Sequence, residues 1–262
     1  RSGLYILGAE TGIGKTSLFL QMADSFALNK NRIIFCALEM TAKELTIKSI
    51  ARIAKEQNIN SSFSSFEIFN NTLSNEDKKI FKSSLKHYID NIEPYLYFSP
   101  VFNILELKDL INEYIEIYKV KPIIFVDYIQ IMRAEKQSAA TIKEEVDRVT
   151  IELKRISKEY DLIVFAISSL NRSNYSENRY FYENGKKIEI EKNEFSTNCF
   201  KESGIIDYTG DVLIRMNNVN KSYFDTNSDL VQQVELLILK NRFGTKNEKI
   251  KLEFKPKYAL FK

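Results

Sequence analysis

Residues 8–16 read GAETGIGKT, between an apolar run, GLYIL (3–7), and SLFLQMADSF (17–26), where Leu18, Met22 and Phe26 recur at i, i+4 and i+8. A short buried strand, a glycine-bearing turn, Lys-Thr and a helix follow one another, which is the setting of a phosphate-binding loop. In such a loop, backbone amides and the helix N-terminus face an anion, Lys15 reaches the outer phosphates and the Thr16 hydroxyl holds Mg2+. The pattern G-x-x-x-x-G-K-[ST] asks for glycine where Ala9 stands. If Ala9 keeps a negative φ, Gly8 and Gly12 are expected to supply the unusual dihedrals. The residues expected to line a bound nucleotide are Ala9, Thr11, Gly12, Gly14, Lys15, Thr16 and Ser17.

Working outward, RIIFCAL (32–38), YLYFS (95–99), KPIIFVDYI (121–129) and DLIVFAIS (161–168) are further apolar strands. Between them lie helical stretches: one capped by Thr41 with Glu44 closing a capping box, one capped by Ser74 and one capped by Asn103. The stretch around 58–66 reads as a loop. A last helix, 141–160, carries Val146, Val149, Leu153 and Ile156 on one face. Continuous apolar strands alternating with helices indicate an α/β chain with a parallel sheet covered on both faces. Residues 171–202 break that rhythm with a long polar, charged segment. DVLIRM (211–216), QVELLILKN (233–241) and EKIKLEFK (248–255) then follow without helices, so the sheet is expected to finish antiparallel. With no internal repeat and no linker, residues 1–262 are read as one domain.

Composition narrows the function classes. The 262 residues are 44% hydrophobic and 28% charged with a net charge of +3, too mild to argue nucleic-acid binding alone. Two cysteines, Cys36 and Cys199, stand far apart, and His87 is the one histidine, so a cysteine–histidine zinc cluster is excluded and any metal is held by oxygen. No apolar run approaches the roughly 20 residues that span a bilayer, and no signal peptide is seen, so a cytoplasmic location without membrane contact is expected. The abrupt start just before a strand suggests that an N-terminal region is missing.

Beyond the loop, Asp127 ends the strand PIIFVD, where a metal-coordinating carboxylate belongs, and Glu39 ends IIFCALE. In a parallel sheet both emerge at the carboxyl edge beside the loop, and Glu39 is the candidate general base. In LKNRFGT (239–245), Lys240 and Arg242 are two apart on a strand and point the same way, as an arginine finger supplied to a neighbour requires. The same charges equally suit a protected edge strand.

Taken in order, GAETGIGKT, CALEM (36–40), FVDYIQIM (125–132), ISSLNRS (167–173), KESGIIDYTGDVLIRM (201–216) and LKNRFGT resemble the C-terminal motor domain of DnaB-type hexameric replicative helicases, over nearly the whole chain. The resemblance implies a RecA-like P-loop NTPase fold that hydrolyses ATP with Mg2+ at the subunit interfaces of a ring around single-stranded DNA, with a primase or helicase loader as possible partner. It implies that Lys15 and Thr16 bind nucleotide and Mg2+, that Asp127 completes the metal shell, that Glu39 activates water and that Lys240 and Arg242 act on the adjacent subunit's ATP. Ala is common in the family at position 9. The family usually reads S-Q-L-N-R where this chain has SSLNR, so Ser169 replaces a glutamine that senses the γ-phosphate; a hydroxyl remains but the reach is lost. Loops at 131–140 and 171–202 would face the channel. Arg133 and Lys136, and Arg172, Arg179, Lys186 and Lys187 among tyrosines and phenylalanine, are the candidate DNA contacts, able to pair phosphates and stack on bases. The alternatives are an ATP-binding loading or assembly module with uncoupled hydrolysis, and a RecA- or KaiC-like non-helicase ATPase.

Overall fold

The computed structural model describes residues 1–58, 61–135, 141–170, 180–183, 186–189, 197–200, 204–219 and 230–262. In chain order the elements are β1 (Gly3–Ala9), α1 (Lys15–Leu28), β2 (Ile33–Ala37), α2 (Ala42–Gln57), α3 (Ser65–Phe69), α4 (Asn75–Asn91), β3 (Leu96–Ser99), α5 (Ile104–Tyr118), β4 (Ile123–Asp127), α6 (Ile142–Glu159) and β5 (Ile163–Ser169). They continue with β6 (Tyr180–Glu183), β7 (Lys186–Glu189), α7 (Gly204–Thr209), β8 (Val212–Asn218), β9 (Gln232–Asn241), β10 (Glu248–Lys255) and β11 (Leu260–Phe261).

Nine strands form one sheet in the order β11-β10-β9-β8-β1-β5-β4-β2-β3. From β3 to β8 every pairing is parallel, and β8-β9, β9-β10 and β10-β11 are antiparallel. The antiparallel finish therefore starts one strand later than the sequence suggests, because β8 joins β1 in parallel. Alternate residues of each inner strand enter opposite apolar layers, as the two-residue period demands. Ile34, Cys36, Ile124 and Val126 pack with α5 and α6, whereas Ile33, Phe35, Ile123 and Phe125 pack with α1 and α2. The predicted α6 stripe of Val146, Val149, Leu153 and Ile156 is wholly buried in the first layer. Burial pushes the Cys36 thiol up to about 12, so it behaves as a small hydrophobe.

One aromatic residue per strand lies in a single register line: Phe98, Phe35, Phe125, Phe165 and Tyr5 are successive Cα partners across β3, β2, β4, β5 and β1. Ring centroids are 5.7 Å apart for Phe35–Phe98, 5.6 Å for Phe35–Phe125, 4.9 Å for Phe125–Phe165 and 5.1 Å for Tyr5–Phe165. Such pairs add about 0.5–1.5 kcal/mol each beyond the area they bury. A slip of one residue would drive the whole line to the other face, so the row fixes register.

The caps at Thr41, Ser74 and Asn103 form as expected, and Thr41 with Glu44 makes a full capping box. Within the expected loop at 58–66, α3 begins at Ser65; its five residues are too few for periodicity, but Ser64 and Glu67 form a second capping box. On α1 the most deeply buried row is Phe19, Leu20, Ala23 and Ala27 rather than Leu18, Met22 and Phe26. The helix is wedged between the sheet and α2, where the buried Arg52 guanidinium donates to the Asp24 carboxylate.

Two stability outcomes follow from this packing. Phe125→Ala, at the centre of the aromatic row and fully buried, should cost about 3–5 kcal/mol by chemical denaturation. Burial lifts the Asp24 carboxyl from 3.8 to about 6, against the pull of Arg52. The folded chain thus holds a proton between these values that the unfolded chain has released, so this group's contribution to stability falls as pH rises through that window and is level above it. Asp24→Asn should flatten that slope in melts taken across the window. At neutral pH it should also destabilise by about 3–5 kcal/mol, because Arg52 is left buried without its counter-charge.

Candidate functional site

β1 runs straight into the turn. Ala9 is the last strand residue, fully buried between Ser169 and Met216. Gly8 is required for space, not for a dihedral: a Cβ there would lie 2.4 Å from the Phe200 ring and 2.7 Å from Leu170. The positive φ angles of the turn fall at Gly12 (85°), as expected, and at Gly14 (94°) rather than Gly8. Gly14 is the N-cap of α1, no side chain caps that end, and the first turn carries no acid, so its N–H donors and its partial positive charge suit an anion. Thr11 and Gly12 are exposed, Thr16 is half-buried and Ser17 is buried. The Lys15 ammonium donates to the Ala9 and Glu10 carbonyls at 2.9 and 2.8 Å. Burial holds its pKa below the usual lysine range, opposed by Asp127, Glu39 and Glu10.

Asp127 ends β4 and is 3% exposed. Burial raises its carboxyl to about 6, while a hydrogen bond from the Thr16 side chain and the charges of Lys15 and Lys48 pull it back. Thr16 and Asp127, far apart in the chain, thus meet at one sheet edge. Glu39 lies two residues past β2 and is exposed, and the neighbouring Leu38 N–H donates to the Asp127 carbonyl at 3.2 Å. The Asp127–Tyr128 peptide bond is cis. Among the described residues no cluster of three or more His, Cys, Asp or Glu is placed to hold a metal. A hydroxyl with one carboxylate suits Mg2+, which takes one or two protein oxygens and completes its shell with water and phosphate.

Ser169 lies beside Ala9 at the same edge. The Gln130 side chain grips it: Gln130 Oε1 accepts the Ser169 N–H at 3.3 Å, and Gln130 Nε2 donates to Ser168 Oγ at 3.1 Å and to the Ser169 carbonyl at 3.4 Å. The Arg133 backbone is pinned to Phe102 and Ile104 while its side chain is exposed. Lys136, Arg172 and Arg179 lie outside the described residues. Lys186 and Lys187 open β7, which pairs antiparallel with β6.

The family profile described as DnaB-like helicase C terminal domain matches residues 1–262. The chain belongs to this family. Among its DnaB-like relatives is the replicative DNA helicase DnaB of Mycoplasma genitalium, 25% identical over 276 residues that cover 98% of this chain and 52% of that protein. The chain thus spans about half the length of such relatives. Two solved structures match all of this chain, each with a TM-score of 0.78: an ATPase domain, at 19% identity and covering 84% of that chain, and a DnaB-like replicative helicase studied with its interactions with primase, at 18% identity and covering 58% of that chain. The fold they share is the RecA-like ATPase fold. Among the described residues no helix is long and apolar enough to cross a membrane.

Within this DnaB-like frame, Lys240 and Arg242 stand apart from the loop. On β9, Leu236 is in line with Ala9 through Met216, whereas Lys240 is in line with Ile6 through Leu213. Lys240 is therefore two strands across from β1 and about 10 Å farther back along the sheet, with Arg242 beyond it. The sequence-level expectation that both point the same way holds, since both donate to the Tyr208 carbonyl.

Lys48 escaped the sequence reading. Burial holds its pKa below the usual lysine range while Asp127, Glu44 and Glu39 raise it, so a second ammonium joins the carboxylates. The available signal was Lys48 and Arg52 at i and i+4 within the same helix as the buried Leu45, Ile50 and Ile53.

Gly14→Ala should test the loop geometry. A Cβ there meets the Phe254 ring at 2.8 Å at a φ that L-residues avoid. The variant should lose on the order of 2 kcal/mol of stability in melts.

Proposed function

We propose that this chain is the ATP-hydrolysing motor region of a DnaB-type helicase that acts as a ring, hexameric in the whole protein, on single-stranded DNA. The observation that carries the reading is the division of the site between two sheet edges. The phosphate loop, Asp127 and Glu39 share one edge, while Lys240 and Arg242 sit at the other, where a neighbouring copy can be served.

When ATP and Mg2+ are bound, the phosphoanhydride supplies the free energy of the reaction. Lys15 exchanges the Ala9 and Glu10 carbonyls for phosphate oxygens, with the loop amides and the α1 N-terminus around them. The Thr16 hydroxyl and the Asp127 carboxylate would hold the Mg2+, which would supply positive charge beside the phosphates. The exposed Glu39 carboxylate accepts a proton from the attacking water. Lys240 and Arg242 neutralise charge on phosphates held by the adjacent copy. Arg133 and Lys136, with Arg172, Arg179, Lys186 and Lys187, contact the DNA backbone and bases. The structural relative studied with primase supports a primase as a partner, and a helicase loader is another.

Family membership favours this reading over a recombinase or regulatory ATPase. A loading module with uncoupled hydrolysis keeps one specific argument, Ser169 in place of the family's glutamine. Ser169→Gln should raise DNA-stimulated unwinding if coupling is limited there, whereas efficient unwinding by the native chain would dismiss the loading reading.

Hydrolysis of ATP measured over a range of protein concentrations tests the divided site. The rate should rise with second-order dependence, Lys15→Ala should abolish it, and Arg242→Ala should lower kcat by about 10³-fold or more while nucleotide binding persists. First-order behaviour with an active Arg242→Ala variant would remove the reading.

A further inference from the structure

Asp211 lies between α7 and β8, and its hydrogen bonds reach several elements at once. Its N–H donates to the Leu4 carbonyl at 2.9 Å, and its carbonyl accepts the Arg242 N–H at 3.0 Å. Its carboxylate is 4% exposed. Oδ2 accepts the Leu4 N–H at 2.8 Å and the Lys154 ammonium of α6 at 2.5 Å, and Oδ1 accepts the Arg242 guanidinium at 3.4 Å. One residue thereby joins the start of the strand that carries the phosphate loop, a helix packed on the sheet, and the backbone and side chain of Arg242.

The C-terminal turn of α7 completes the cradle. Arg242 donates to the Tyr208 carbonyl at 2.8 Å, and Lys240 donates to the Asp207 carbonyl and, at 3.3 Å, to that of Tyr208. These carbonyls are at the negative end of the helix, where a cation is favoured. The cradle leaves donors unspent. Arg242 has five N–H groups of which two reach these acceptors, and its side chain is 49% exposed. A guanidinium fixed at one side and open at the other is set to meet a further anion with little loss of rotamer freedom.

We propose that Asp211 is the positioning residue of the Lys240/Arg242 pair: with the α7 carbonyls it fixes the direction in which the guanidinium faces a phosphate on a neighbouring copy, and it ties that direction to β1 of its own subunit. The inference rests on the reading that the pair acts across a subunit interface. Lys154 balances the buried carboxylate from its other oxygen, so Arg242 is not drawn fully inward to do so.

Asp211→Asn alone leaves Lys154 without its counter-charge, so the test uses Asp211→Asn with Lys154→Met, which removes both charges and keeps the volumes close. Thermal melts establish that the double variant is folded. Single-turnover and steady-state ATP hydrolysis are then measured on single-stranded DNA at assembling concentrations, in the native and the Arg242→Ala backgrounds. In the native background, kcat should fall about tenfold or more with KM for MgATP within about twofold. In the Arg242→Ala background the same pair of changes should alter kcat less than about twofold, because their target is gone. An unchanged kcat in the native background, or a loss of equal size in both backgrounds, overturns the proposal. If Arg242→Ala is itself as active as the parent, it is the divided-site reading that fails, which separates the two.

Discussion

The register of five parallel strands is the constraint on which everything else depends. Phe98, Phe35, Phe125, Phe165 and Tyr5 align because each occupies the same position in its strand and faces the same layer. The candidate groups of the site are then set by short counts from that line: Ala9 follows Tyr5 by two alternations of the strand, and Asp127 follows Phe125 by one. Ser169 and Glu39 each follow their own aromatic residue by two. The chemistry at the carboxyl edge is thus indexed by an apolar row several ångströms below it, and polar contacts such as those of Gln130 with Ser169 are made on top of that register.

That edge concentrates charge at a desolvation cost. Asp127 is lifted to about 6 and the two lysines facing it are held down by burial, so each group's ionised form depends on the other's. Two ammoniums offset one buried and one exposed carboxylate, and the uncapped start of α1 adds partial positive charge, so a polyphosphate arriving with its metal meets no excess of like charge. The buried Asp24–Arg52 pair one layer away holds α1 to α2 and thereby fixes Lys15 and Lys48 relative to each other.

Much of this was legible from the chain. The phosphate loop, Asp127 and Glu39 declare themselves through strand ends and turn residues, which are local patterns, and the capping residues at 41, 74 and 103 do the same for helix starts. What could not be read depends on partners distant in sequence. Gly8 looks like a source of backbone freedom, yet it is needed because Phe200 and Leu170 close over it. Asp211 resembles an ordinary residue at the start of a strand, because its partner Leu4 is 207 residues away. α3, with five residues, and β11, with two, are too short for any periodicity to register. The direction of β8 was missed because a strand preceded by a short helix does not announce which neighbour it will join.

The ten residues of β9 have a consequence for any assembly of such chains. One end, at Val234, belongs to the layer beneath the phosphate loop, and the other carries Lys240. A hydrogen-bonded strand held on both sides by β8 and β10 cannot stretch or fold in its middle, so it acts as a spacer. In a ring of the kind proposed, the path within one copy from its own phosphate loop to the pair that serves the neighbour would cross β8 and β9, a span fixed by backbone geometry. Any stepwise motion would then arise from copies rotating against one another as rigid bodies, not from a change in the span within each.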